Sequence, residues 1–156
     1  MLKITLITLS NKPAPWVDVA KAEYISRLGH YCNFKHISLE AIKPGKATSS
    51  TIKLQKEAEL IKKHISKSSY LIATGITGKQ FSSTEMAHNI DKLTLQHSEI
   101  VFVIGSSDGL HKAVYDMADT TWSLSKLTMP HQLAQIVLVE QIYRCFCILH
   151  KHPYHK

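Results

Sequence analysis

Residues 100–110 read Ile-Val-Phe-Val-Ile-Gly-Ser-Ser-Asp-Gly-Leu, and this stretch decides the fold. Its first five residues form an uninterrupted apolar run. A strand that is apolar on both faces belongs at the centre of a parallel sheet that helices cover on both sides. The run leads directly into the small residues Gly105 to Gly109, which mark a turn. Because open parallel sheets bind ligands beyond the carboxyl ends of their strands, this turn is also a candidate ligand loop.

The segments around this strand alternate between strand and helix patterns. β-Branched and aliphatic residues bounded by turn residues predict strands over 2–9, 33–42, 69–76 and 121–124. Helices are predicted over 16–28, 51–66, 82–96 and 131–149, with a short helix after Leu110. Ser82 and Glu85 have the spacing of a capping box. The alternation predicts an α/β fold with a doubly wound parallel sheet, in one domain spanning residues 1–156.

Two of these helices have an apolar face that follows from residue spacing. The first places together Trp16, Ala20, Tyr24 and Leu28, and Gly29 ends it. The second is rich in lysine and places together Leu54, Ala58, Ile61 and Ile65. A polar, basic loop from Pro44 to Ser50 is predicted between the second strand and this helix.

Composition limits the classes of protein to which the chain can belong. Hydrophobic residues make up 44% of the 156 residues, enough for a sizeable core, and the net charge is +7. A basic surface favours an acidic partner such as nucleic acid, although a solvated basic surface without a partner explains the charge equally well. The lysines expected to provide general RNA affinity are those at positions 43, 46, 53, 56, 62, 63 and 67.

The sequence also favours a particular compartment. The first apolar run is too short for a signal peptide, and we expect no apolar run of membrane-spanning length. Three cysteines, Cys32, Cys145 and Cys147, are an odd number at no metal-binding spacing. A reduced, cytoplasmic protein without a metal site is therefore expected.

Two loops are candidates for cofactor binding. Gly105 to Gly109 matches neither the dinucleotide fingerprint nor the Walker motif, and by itself it is as compatible with a simple turn. The second loop, from Ser123 to His131, has Pro130 in a position suited to the first turn of a helix and Thr128 as a possible cap. An ordinary capped connection is one interpretation. The apolar Leu127 and Met129 favour another, in which they form the wall of an adenine pocket.

The last predicted helix is apolar almost all round, which requires cover on two sides. One cover is the sheet, and a second copy of the chain is expected to be the other. Glu140 and Arg144 are four residues apart, so they either pair on the surface or line a site at a dimer seam.

The C-terminal segment from His150 to Lys156 contains three histidines. A disordered end and a metal site are alternatives to the interpretation that we favour, a basic and aromatic tail that touches RNA.

With these motifs in view, the sequence resembles the RlmH (YbeA-like) family of the SPOUT methyltransferase superfamily along its whole length. The matching residues are Trp16, Tyr24, Gly78-Lys79, Gly105, Gly109-Leu110, Trp122-Ser123-Leu124-Ser125, Leu127-Thr128, Pro130-His131, Glu140, Tyr143-Arg144 and His152-Pro153-Tyr154-His155. The resemblance implies a homodimer with a C-terminal trefoil knot that binds S-adenosylmethionine in a bent form. It also implies methylation at N3 of a pseudouridine in 23S ribosomal RNA, on the assembled 70S ribosome.

The resemblance places the cofactor at Thr74, Gly105, Ser106, Ser125, Lys126, Leu127, Thr128, Met129 and Pro130. The chain departs from the family pattern at three places. The usual Gly-Gly-Pro-Glu-Gly is Gly105-Ser106-Ser107-Asp108-Gly109, a common leucine is Thr74, and a common arginine is Gln135. The last change is expected to weaken RNA contact at that position.

Methylation of N3 requires removal of its proton, so a base or a cation that stabilises the imide anion is expected. The candidate catalytic residues are His155, Tyr154, Arg144 and His131. A histidine can accept the proton, Tyr154 can stack on or orient the base, and Arg144 can hold a phosphate or the anion. For His131, a helix-capping role is an equal alternative.

Three other functions compete with this one. A non-catalytic RNA-binding module would explain the charge but not the two small-residue loops. A methyltransferase of the same superfamily acting on transfer RNA is the second, and a flavodoxin-like phosphate or flavin binder is the third.

Overall fold

The computed structural model describes residues 1–43 and 49–156, so most of the predicted basic loop lies outside the described residues. Strands and helices alternate along the chain as β1 (Lys3–Leu9), α1 (Pro15–Leu28), β2 (Asn33–Leu39), α2 (Ser50–Lys62), β3 (Tyr70–Lys79), α3 (Ser83–Gln96), β4 (Glu99–Ile104), α4 (Lys112–Met117), β5 (Thr120–Trp122) and α5 (His131–Leu149). The five strands form one parallel sheet in the order β2-β1-β4-β3-β5. The apolar run at 100–104 is therefore central, as predicted.

Helices cover both faces of the sheet, which confirms the doubly wound arrangement. Strand β1 alternates, with Ile4 and Leu6 facing the core that includes α1, α3 and α5, while Ile7 and Leu9 face the core that includes α2 and α4. The predicted capping box is also present, because Ser82 Oγ accepts from the Glu85 amide and Glu85 Oε2 accepts from the Ser82 amide.

Part of the cover of helix α5 comes from two helices of the same chain, which the sequence analysis did not predict. Neighbours in the same chain, α1 and α3, pack on either side of it above the sheet and help to bury Leu138, Val139 and Ile142 completely. Neighbouring helices of the same chain thus bury one part of α5, whereas Leu133 is 39% exposed, and cover by a second copy stays a prediction. By length and composition alone α5 would be able to cross a membrane, contrary to the expectation from sequence. Its packing identifies it as a core helix.

The predicted face of α1 is wrong at its first turn. Trp16 is 58% exposed, whereas Val17 and Lys21 are buried. Lys21 is accommodated because its ammonium group donates to Gln135 Oε1 of α5 at 2.9 Å. A hydrophobicity pattern does not foresee this arrangement, since lysine is counted as a surface residue.

A half-buried histidine on β2 makes the stability of the fold sensitive to acid. The His36 ring lies 2.8 Å from Thr8 Oγ1, and burial, helped by the charge of Lys21, lowers its pKa to about 4. An unfolded chain would bind a proton there near pH 6.5, so this contribution to stability is present above pH 6.5 and is lost as the pH falls toward 4.

We expect His36→Gln to reduce the loss of unfolding free energy between pH 7 and pH 5 by about 1 kcal/mol, because glutamine does not titrate. Urea unfolding at the two pH values measures this difference. The matched control is His88→Gln, at an exposed position, which should keep the wild-type slope. An unchanged slope in His36→Gln would contradict the assignment.

Candidate functional site

An open cleft lies where the middle of β3 and the connections after β4 and β5 meet the start of α5. Its lining residues are Thr74, Gly75, Ile76, Ile104, Gly105, Ser106, Ser123, Leu124, Ser125, Leu127, Thr128, Met129, His131 and Ala134. The two loops singled out in the sequence are thus brought together as two walls of one cleft. Of the residues predicted to bind a cofactor, Lys126 and Pro130 belong to the same segment but do not line the cleft.

The first wall is a tight turn whose shape depends on glycine. Gly109 has φ +83°, and its amide donates to the Ser106 carbonyl at 2.8 Å. At Gly105 an added Cβ atom would lie 2.4 Å from the Gly109 carbonyl oxygen, so the chain cannot close the turn with a larger residue. Both glycines are required by the backbone path and leave the Gly105 backbone facing the cleft.

Two hydroxyl groups of the cleft are engaged within the protein. Thr74 Oγ1 donates to the Val103 carbonyl at 2.9 Å, and Ser123 Oγ donates to the Ser125 carbonyl at 2.9 Å. These side chains shape the loops. The groups that remain for a ligand are the backbone, the exposed Thr128 side chain and the apolar walls, of which Ile76 and Leu127 are 56% and 76% exposed.

The cleft by itself is small for a ligand of nucleoside size. Its volume is about 180 Å³. Pockets that enclose a small molecule typically measure roughly 300–1,000 Å³. In a single chain the cleft is thus open, and a bound nucleoside would remain partly uncovered.

The second wall ends at the first turn of α5, where the predicted cap is wrong. Pro130 is the N-cap residue, without a side-chain cap bond, and Thr128 lines the cleft instead. His131 is the first helical residue rather than a cap. Burial, together with the charge of Lys53, lowers its pKa, so its imidazole is uncharged at neutral pH.

The other three candidate catalytic residues form a cluster at the far end of α5. Arg144 Nη2 donates to Glu140 Oε1 at 2.6 Å, and Tyr154 donates its hydroxyl to the same oxygen at 2.8 Å. The guanidinium carbon of Arg144 lies 4.7 Å from the centroid of the Tyr154 ring, and Arg144 Nη1 is 3.3 Å from His155 Nδ1. Glu140, which the sequence marked by its spacing from Arg144 and by the family resemblance but not as a catalytic candidate, is the common partner.

The C-terminal tail folds back on the protein. The His152 amide donates to the Cys147 carbonyl at 2.8 Å, and the ring of Tyr154 packs edge-on against Tyr143 with centroids 4.8 Å apart. Burial raises the pKa of Tyr154, with hydrogen bonds to Tyr24 and Glu140 adding to the effect. Among residues 1–43 and 49–156, no three histidine, cysteine or acidic side chains are grouped as metal ligands.

One chain does not bring all four candidate catalytic residues together. His131 and Arg144 lie on the same helix, and a rise of 1.5 Å per residue separates them by about 20 Å along its axis. His131 borders the cleft, whereas Arg144, Tyr154 and His155 stand far from it.

Two positions connected with RNA binding also lie elsewhere than predicted. Lys53 is buried, whereas the lysines at 43, 56, 62, 63 and 67 are exposed, and Lys46 is outside the described residues. Gln135 is completely buried and faces Lys21. Its side chain is therefore not available to RNA in this chain. The expected weakening of RNA contact at this position stays a prediction.

Comparison with known proteins identifies the class. Residues 2–155 match the family described as "Predicted SPOUT methyltransferase". The chain belongs to this family, and membership implies the C-terminal trefoil knot that accompanies the parallel sheet.

Individual relatives align with the whole chain and carry one name, "Ribosomal RNA large subunit methyltransferase H". The protein of Legionella pneumophila (strain Paris) is 40% identical over 156 residues, 100% of both chains. Those of Streptococcus thermophilus and Finegoldia magna are 42% and 39% identical over 159 aligned positions, which cover 99% of this chain and 100% of each relative. The family resemblance stated from the sequence is confirmed.

Proposed function

We propose that the protein methylates N3 of a pseudouridine in 23S ribosomal RNA, on the assembled ribosome, with S-adenosylmethionine as the methyl donor. The observation that carries the proposal is the single cleft in which Gly105-Ser106 and the segment Ser123–Met129 meet. The name shared by the relatives supports ribosomal RNA as the substrate. The enzyme acts as a single-domain protein in the cytoplasm, where its substrate is found.

The lining of the cleft fits this donor. Its apolar walls suit an adenine ring, and its exposed backbone suits the polar edge of the base, since the Thr74 and Ser123 hydroxyl groups are already engaged. Thr74, Gly105, Ser106 and the segment Ser125–Pro130 would hold it. When bound, S-adenosylmethionine supplies a methyl group on a sulfonium whose leaving group is a neutral thioether.

Residues of the chain remove the proton from N3 and stabilise the anion that remains. In the bond between Arg144 and His155, arginine is the donor, so Nδ1 of a neutral His155 accepts and its hydrogen is on Nε2. Arg144 and His155 Nε2 can then donate to the carbonyl oxygens that flank N3 and stabilise the imide anion. The uncharged His131 takes the proton, and Tyr154 orients the base.

This assignment requires two copies of the chain. About 20 Å of helix separates His131 from Arg144 in one protomer, and the cleft of one protomer is open. A homodimer with antiparallel α5 helices would bring the tail of one protomer to the cleft of its partner.

We expect two inactive variants to restore activity when mixed as dimers. Gly105→Ala damages the cleft, and a chain lacking residues 152–156 has no tail. In a mixed dimer, the intact cleft of one protomer faces the intact tail of the other. Activity after joint refolding should approach a quarter of the wild-type value, because half of the dimers are mixed and each has one intact site of two. If the mixture stays inactive, each site belongs to one chain.

The direct test is transfer of a labelled methyl group to ribosomes from a strain that lacks the modification. We expect label in 23S RNA of 70S ribosomes, and nucleoside mass spectrometry should assign it to N3 of a pseudouridine. Transfer RNA from the same strain is the control for another specificity within the superfamily. Label in transfer RNA alone, or no label at all, would refute the proposed function.

A further inference from the structure

Two charged residues of helix α2 are buried behind the first wall of the cleft. The side chains of Lys53 and Glu57 are 7% and 2% exposed. Lys53 Nζ lies 2.6 Å from Asp108 Oδ2, and Ser106 Oγ donates to Glu57 Oε1 at 3.1 Å. Lys53 and Glu57 are themselves 3.8 Å apart, so the four side chains form one network.

This network holds the loop at two positions, one before and one after the tip of its turn. Ser106 and Asp108 flank the tip of the turn, and each is bonded to a different residue of α2. Ser106 also lines the cleft, so the position of that wall depends on α2 as well as on the loop itself. Glu57 Oε2 is buried without a hydrogen-bond partner among the described residues. Burying an unpaired polar atom costs free energy, so the packing of α2 does not by itself account for a glutamate here.

We infer that Lys53 and Glu57 are positioning residues that hold the Gly105–Asp108 turn in the shape that binds the cofactor. This inference rests on the proposed function, because it assigns the turn to the cofactor cleft. It gives Lys53 a role in cofactor affinity, in place of the general RNA affinity expected from its position in a lysine-rich helix. The neighbouring lysines of α2 have no such contact with the turn.

The test compares two substitutions that remove the same charge from the same helix. Lys53→Met should raise the Kd for S-adenosylmethionine, measured by calorimetry, at least about tenfold. The KM for S-adenosylmethionine should rise by a similar factor, while kcat at saturating donor stays within about twofold. Lys56→Met, at an exposed position, should leave the Kd and the KM for S-adenosylmethionine within about twofold of wild type. Equal Kd values for S-adenosylmethionine in Lys53→Met and Lys56→Met would overturn the inference.

A pair of substitutions at the second residue separates positioning from packing. Glu57→Gln keeps an oxygen that accepts from Ser106 Oγ, whereas Glu57→Leu removes it. The glutamine variant should therefore keep an affinity nearer to wild type than the leucine variant, at a temperature where thermal melts show both folded. Equal affinities in folded Gln and Leu variants would contradict the role of the Ser106 bond.

Hydrogen exchange tests this inference independently of the proposed function, because it needs no ligand. Amides of residues 106–109 should exchange faster in Lys53→Met than in Lys56→Met, even without a ligand. If the wild-type protein fails to bind S-adenosylmethionine, the proposed function fails, while faster exchange would still show that the network holds the turn. Unchanged exchange would refute the network's role whatever the ligand.

Discussion

Replacing Gly105 with alanine is expected to weaken binding of S-adenosylmethionine by at least about a hundredfold, or about 2.8 kcal/mol. The new Cβ atom would lie 2.4 Å from the Gly109 carbonyl oxygen and 2.6 Å from its carbonyl carbon. Backbone atoms of a tight turn cannot move aside as a flexible side chain can. The turn must open, which displaces Ser106 and the wall of the cleft that it forms. Isothermal titration calorimetry measures the loss.

A second glycine provides the control. Gly29 has a helical φ of −57°, and an added Cβ atom there meets only the Ser26 carbonyl oxygen, at 3.2 Å. Gly29→Ala lies outside the cleft lining and should bind the donor as wild type does. Circular dichroism shows whether Gly105→Ala retains the fold. A folded Gly105→Ala protein with undiminished affinity would contradict the placement of the cofactor.

Deletion of residues 152–156 is expected to reduce kcat for methyl transfer at least about a hundredfold, the size typical of losing acid–base and orienting groups. The deletion removes Tyr154 and His155 and leaves Arg144 bonded to Glu140 alone within this cluster. Donor affinity should change by less than about threefold, because the donor is assigned to the loops and the start of α5, whereas the tail of the partner is assigned to the RNA base. Single-turnover transfer to ribosomes and calorimetry measure the two quantities.

Two milder variants show which part of the tail matters. Removing Lys156 alone should leave kcat unchanged, because that residue has no bond in the cluster among the described residues. Tyr154→Phe keeps the ring packed against Tyr143 but loses the hydroxyl that donates to Glu140. Its kcat for methyl transfer should lie between those of the wild-type protein and the deleted protein. Full activity of the deleted protein would exclude the tail from the mechanism.

The parts of the fold that were predictable are those whose pattern is local. The apolar run at 100–104 predicted the central strand, and Ser82 with Glu85 predicted the start of α3, because each signal depends on residues close together in sequence. The buried face of α1 was not predictable in the same way. It depends on Lys21 meeting Gln135, two polar residues more than a hundred positions apart.

In the candidate site, too, only the features with a local sequence signal were predictable. The two loops were predictable, since the carboxyl ends of parallel strands lie at one edge of a sheet. An ion pair between Glu140 and Arg144 was one of the two alternatives that their spacing left open, and the structure contains this pair. Neither the hydroxyl of Tyr154 on Glu140 nor the contact of Lys53 with Asp108 has a local signal. Both depend on tertiary packing, and Lys53 had the appearance of a surface charge.

The most direct test of the account is a crystal structure of the protein with S-adenosylmethionine. We predict the adenosyl group between Gly105-Ser106 and the segment Ser123–Met129, with its base against Leu127 and Met129 and its polar edge on backbone groups. A ligand bound at another surface, with these two loops unoccupied or apart, would contradict the central claim.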